Sequence, residues 1–394
     1  MTVRLLVLAG VAVAASLLAV ALRDGGDRAV APREPAAEPA PLEACSDAPA
    51  SEIRGCYARE LAALVGASDR PADAVEEVAR AAYAEPGGYL LGNCHGLMHT
   101  VGRERALERS LGLADLVDVL PASNDPACAA GFSHGVVSGV APTLDARDPR
   151  GAEAVCADAE TRFQRYSCTH GFGHAFMRLN EGRLEPALGL CRRLGPRAAP
   201  DCAQGAFHDY WFAVLGIDEA ETPGRPVTDP RRLCAGRPAA FVRPCWYRAF
   251  LDGLEPGTRV ESAAEIDALC AGLRALQRQG CITAAAVLGP ADPAEQLALC
   301  GGFTGVDAES CIRATKVQNI LQYSPDLALP LVRECRRFPF RTALACYRIL
   351  GKALAVVTDG AFGRDGCPRL DPAAARRACR AGAARMEEAL VTFS

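Results

Sequence analysis

Twelve of the cysteines in this chain form pairs at one fixed interval. Cys45/Cys56, Cys191/Cys202, Cys234/Cys245, Cys270/Cys281, Cys300/Cys311 and Cys335/Cys346 are each eleven residues apart, and Cys156/Cys168 and Cys367/Cys379 are twelve apart. Only Cys94 and Cys128 stand outside the pattern. A regular period is the mark of a repeat architecture. Eighteen cysteines, an even number, fit disulfides in an exported chain better than free thiols. No C-x-x-C pair occurs, which argues against thiolate-bound zinc.

One unit of the repeat reads in full. Glu185 to Leu194 has a helical pattern that ends near Cys191, and Gly195-Pro196 stops it. Asp201 is a candidate N-cap, with Cys202 opening the next helix. Each disulfide would then staple the end of one helix to the start of the next. The same grammar recurs around Cys234, Cys270, Cys300 and Cys335, and strand signals are weak. The expected fold is all-α, with disulfide-stapled αα-hairpin repeats of roughly 30–45 residues forming a solenoid or closed helical array. Shifted by 74 residues, Cys94 falls on Cys168 and Cys128 on Cys202, but neither has an upstream partner. The two leftovers are therefore expected to bond to each other.

The amino terminus bears on compartment. Leu5 to Leu22 carries no charge, and Arg23 and Asp24 follow at once. Residues 1–22 read as a signal peptide or an uncleaved anchor, so a membrane tether is an open alternative to cleavage. Residues 23–44, rich in Pro, Ala and acidic side chains, read as a linker. Residues 45–394 are the cysteine-rich domain. The expected location is extracytoplasmic: secreted, periplasmic or anchored on the outer face. The net charge is −4 and no basic block stands out, so nucleic acid is not an expected partner.

The six histidines all fall between residues 95 and 208, inside a site region spanning 94–212. They form two copies of one arrangement. CHGLMHTVGR (Cys94 to Arg103) matches CTHGFGHAFMR (Cys168 to Arg178), and CAAGFSH (Cys128 to His134) matches CAQGAFH (Cys202 to His208). Each copy is H-x3-H with a third histidine on the next helix. Imidazoles at i and i+4 share a helical face and can chelate one ion, with the third completing the set. The expected groups are His95/His99/His134 and His170/His174/His208. They would be separate sites in a straight stack and one dinuclear centre in a curved one.

All-imidazole ligation suits copper, zinc or iron, with one or two ions per chain. Three histidines per ion, two of them as H-x3-H, is similar to the ligand set of binuclear copper proteins such as tyrosinases and haemocyanins. The likeness covers the six histidines alone. Arg103 and Arg178, one turn further along the same face, are candidates to bind an anionic substrate or to act in catalysis. Asp209 is expected beside the site rather than as a ligand, and Gly96, Gly131, Gly171 and Gly205 as close-packing positions. Tyr210, Trp211, Trp246 and Tyr247 are expected in the core. Later repeats carry Leu251, Val287, Val317 and Lys352 at the central histidine position.

The functional expectation is an extracytoplasmic metal-binding protein, read first as a metalloenzyme of oxidoreductase or hydrolase type. Its substrate, small molecule or protein, is open. The alternatives are a metal-handling protein without turnover and a helical interaction scaffold with structural histidines. H-E-x-x-H is absent, which disfavours a zincin protease.

Overall fold

A computed structural model describes residues 42–85, 88–123, 125, 127–145, 148–215, 229–253, 258–290, 292–314, 328–358 and 360–385. The expected signal or anchor segment, most of the linker and Val317 lie outside the described residues. The first helix, α1, is Glu43–Ser46, so the last two residues assigned to the linker, Glu43 and Ala44, belong to the folded unit. Among the described residues no helix is long and apolar enough to cross a membrane.

Every regular element among the described residues is helical, as expected. The helices continue with α2 (Ile53–Ala67), α3 (Pro71–Ala84), α4 (Tyr89–Glu108), α5 (Leu116–Val119) and α6 (Cys128–Gly139). Then come α7 (Pro149–Ala157), α8 (Arg162–Leu179), α9 (Leu184–Cys191), α10 (Ala198–Leu215), α11 (Pro230–Cys234) and α12 (Ala239–Leu251). The last are α13 (Ala263–Leu269), α14 (Ala275–Val287), α15 (Pro293–Leu299), α16 (Gly305–Ala314), α17 (Ala328–Glu334), α18 (Phe340–Val357) and α19 (Ala373–Ala383).

Local sequence explains several starts. Asp148, Asp229 and Asp292 each accept a backbone N–H ahead of a proline at the first helical position. Thr161 and Gln164 form a capping box at the start of α8, with Thr161 Oγ1 accepting from Gln164 N at 3.1 Å and Gln164 Oε1 from Thr161 N at 2.9 Å.

All nine expected disulfides are formed. Eight are local and one joins Cys94 of α4 to Cys128 of α6, Cα–Cα 5.0 Å. The position of the second cysteine differs from expectation. Cys202 does not open its helix, because α10 begins at Ala198, and Asp201 lies inside it rather than capping it. Cys168, Cys245, Cys281, Cys311 and Cys346 are likewise well inside their helices. The geometry gives the reason. The first cysteine ends a short helix, and a helix lying alongside presents its flank, not its tip, within the 5.5–5.8 Å that these pairs span.

The longer helices pack in chain order: α4 on α6, α6 on α8, α8 on α10, α10 on α12, and onward through α14, α16, α18 and α19. Helix α6 is central, and every one of its residues is buried. Its composition, CAAGFSHGVVSG, permits that. A Cβ on Gly131 would collide with the His95 carbonyl of α4, and one on Gly135 with the His99 carbonyl. The same approach joins α10 to α8, where Gly205 faces the His170 carbonyl. Glycine thus lets two helix backbones touch at the level of the histidines.

Candidate metal centre

Four consecutive long helices carry the histidines: His95 and His99 on α4, His134 on α6, His170 and His174 on α8, and His208 on α10. All six rings converge in one cluster. Ring centroids are 4.8 Å apart for His99 and His174, 4.3 Å for His134 and His170, and 5.2 Å for His174 and His208. His95 and His208, from the two outer helices, are 5.7 Å apart. Five of the rings are buried, and His95 is half-buried at the rim.

Two contacts repeat across the duplication. His95 Nε2 lies 3.3 Å from His134 Nδ1, and His170 Nε2 lies 3.4 Å from His208 Nδ1. Two imidazole nitrogens held at ~2.0–2.1 Å on one tetrahedral ion stand ~3.3 Å apart, so both pairs have the spacing of a chelate. His134 Nε2 is buried and meets no hydrogen-bond partner among the described residues. An orphaned buried nitrogen is costly unless something else uses its lone pair.

Two groups of three bring all their ligand atoms within 4.8 Å of one another: His170/His174/His208 and His99/His134/His174. The first is the expected second-copy group. The second differs from the expected His95/His99/His134, since His174 from the other copy stands where His95 was expected. His95 follows Cys94 by one residue, whereas His170 follows Cys168 by two, so the two H-x3-H pairs differ by about 100° in register relative to their cysteines. Helix packing sets His99 against His174 and leaves His95 half-buried.

The electrostatics favour lone pairs over charge. Burial holds His134, His170 and His208 well below the usual imidazole range. Neighbouring imidazoles add to this. For His170 and His208 the largest contribution after burial is the positive charge of Arg248. These three rings are neutral at pH 7, as metal ligation requires.

Around the cluster, Asp209 is buried and its Oδ1 lies 3.6 Å from His174 Nδ1. It therefore faces the histidine of the neighbouring helix α8 rather than the surface, as a carboxylate that orients a ligand ring would. The Tyr166 hydroxyl is 3.5 Å from His170 Nδ1, and the Phe212 ring packs edge-on against His208 at 4.2 Å. Tyr210, Trp211, Trp246 and Tyr247 are buried, as expected. Arg103 and Arg178 are half-buried at the far ends of their histidine faces.

Sequence reasoning missed the buried pair formed by Arg248 on the next helix, α12, and Asp252, which caps its end. A signal was present. Counting three residues past the cysteine gives Gly131, Gly171 and Gly205 in α6, α8 and α10, but Arg248 in α12.

Comparison with protein-family models, with curated proteins and with solved structures finds no match. The nine disulfides and the histidine cluster are compatible with an extracytoplasmic metal-binding protein.

Proposed function

We propose that the six histidines hold a dinuclear transition-metal centre in an extracytoplasmic metalloenzyme. The observation that carries this reading is the convergence of all six rings, with two chelate-spaced nitrogen pairs related by the internal duplication. His170, His174 and His208 are assigned to one ion. Each imidazole nitrogen carries one lone pair, so His174 is assigned to the first ion, with Asp209 Oδ1 3.6 Å from its Nδ1. The second ion is assigned to His99 and His134, with His95 as third ligand on its 3.3 Å approach to His134, in place of the closer grouping with His174.

Three protein ligands per ion leave a position open for water, oxygen or substrate. Such ions supply Lewis-acid or redox chemistry. The chain's own part is to orient His174 through Asp209, to exclude water around five buried rings, and to leave access at the half-buried His95. Oxidoreductase chemistry, with copper first among copper, zinc and iron, is the first activity to test, and hydrolysis the second.

The surrounding framework is read as a stapled repeat array. Consecutive packing of the long helices and the recurring disulfides support it. Nine disulfides point to an oxidising compartment. Residues 1–22 are proposed as the export signal or a membrane tether.

The test is calorimetric titration of metal-free, disulfide-intact protein with Cu²⁺ and Zn²⁺. Two ions per chain are expected, falling to one in His208→Ala. Absence of stoichiometric binding would sink the reading and leave a helical scaffold with structural histidines. Metal binding without dioxygen consumption or ester hydrolysis by the loaded protein would favour metal handling.

A further inference from the structure

Arg248 is a cation placed where a metal centre would not tolerate one without reason. Its residue is 7% exposed, on α12, which packs against the His208 helix α10. It occupies the register at which Gly131 and Gly205 face the preceding helix, and Gly171 likewise meets Val137 of the helix before it. An arginine there is directed at α10 and the histidine end of the stack. The electrostatic influence of Arg248 on His170 and His208 agrees with that placement.

Asp252 does not account for it. Only Nη1 of Arg248 reaches the carboxylate, 3.3 Å from each oxygen. Charge-assisted bonds of this kind run nearer ~2.7–2.9 Å and often engage the guanidinium as a two-nitrogen fork. Nε is buried and meets no hydrogen-bond acceptor among the described residues. Burial pushes the Asp252 carboxyl up to about 6 even with the guanidinium beside it. A guanidinium with an orphaned buried donor and a long, one-sided ion pair is a cation with capacity to spare.

We propose that Arg248 is the anion-binding residue of the histidine centre, and that the ligand of this centre carries an oxyanion group of the carboxylate or phosphate class. This rests on the metal reading in one respect: a fixed cation beside bound cations is repulsive unless an anion lies between them. A planar guanidinium suits that task because it meets carboxylate or phosphate oxygens with two parallel donors.

The experiment is calorimetric titration of zinc-loaded protein with inorganic phosphate and, separately, with acetate. Wild type should bind at least one of the two at one per chain. Arg248→Gln should weaken that binding by roughly tenfold or more while leaving zinc stoichiometry unchanged. Asp252→Asn removes the competing carboxylate and should tighten it, an effect that a merely structural ion pair would not give. Lack of binding to zinc-loaded wild type, or equal binding in Arg248→Gln, would overturn the proposal. If Arg248→Gln does not fold, Asp252→Asn decides: tighter binding supports the proposal and unchanged affinity overturns it. If the protein takes up no zinc, the metal reading fails separately. The same titration on metal-free protein then judges Arg248 alone, with Arg248-dependent binding in favour and no binding against.

Discussion

Replacing Gly135 by alanine should disturb the histidine centre without touching a histidine. A Cβ at this position would sit 2.8 Å from both the Arg103 nitrogen and the His99 carbonyl carbon, and closer still to the His99 oxygen. Ordinary contact begins near 3.4 Å, so these two contacts alone ask α6 and α4 to part by about 0.6 Å, and the nearer His99 oxygen asks for more. Backbone lies on the far side, so no side chain can swing away to absorb the strain. Overpacking of this kind costs ~1–3 kcal/mol, against a gain of up to ~1 kcal/mol from alanine's helix propensity. The net expectation is a loss of about 1–2 kcal/mol in a urea titration. The larger effect should fall on metal affinity, because ligand distances tolerate only about ±0.2 Å. His134 on α6 and His99 on α4 would be pulled apart, and competition against a chelator should show at least a tenfold loss, in keeping with other changes that displace a ligand. Gly92→Ala is the control. It lies on α4 with nothing within 4 Å of its Cβ and should be neutral or slightly stabilising. Wild-type metal affinity in Gly135→Ala would refute the claim that glycine contacts set the ligand spacing.

Metal-free protein should lose stability as pH falls below about 6.5. The folded pKa values of His134, His170 and His208 are depressed, so the unfolded chain takes up their protons first. The slope approaches ~1.4 kcal/mol per pH unit for each ring, or about 4 for the three, once the unfolded imidazoles are protonated. Asp252, held up to about 6, opposes this below that value. Urea midpoints that stay flat from pH 7 to 5.5 would contradict it. Removing the Cys94–Cys128 bond by double alanine substitution should cost about 4 kcal/mol for its 34-residue separation. The Cys300–Cys311 bond should cost about 3 for its separation of 11, and denaturant unfolding compares the two. Asp209→Asn should lower metal affinity about 10–100-fold with little change in fold, as seen by chelator competition and circular dichroism. No change in affinity would remove Asp209 from the site.

The cysteine spacing carried most of the fold. Eleven residues is the length at which one helix can end, turn and lay the next helix's flank against it, and even Cys94 and Cys128, which stand outside that spacing, were assignable by shifting one copy onto the other. Helix starts were less legible. Asp201 has the chemistry of an N-cap, but the bond from Cys191 needs the side of α10, so the helix extends back to Ala198. The six histidines were readable because they share register across a duplication. Their cross-copy contacts, such as His99 with His174, were not, because they depend on how closely α4, α6, α8 and α10 approach. Glycines set that approach, and their partners are backbone atoms distant in sequence. Arg248 was missed for a related reason. It belongs to a helix without histidine, and only packing of α12 on α10 brings it to the site.

The most direct measurement is anomalous diffraction from crystals of the metal-loaded protein, collected at the absorption edge of the bound metal. Two anomalous peaks are expected, one among His170, His174 and His208 and one among His95, His99 and His134, each at ~2.0–2.1 Å from imidazole nitrogens. A cluster with no anomalous peak in protein that folds with all nine disulfides would contradict the metal centre itself.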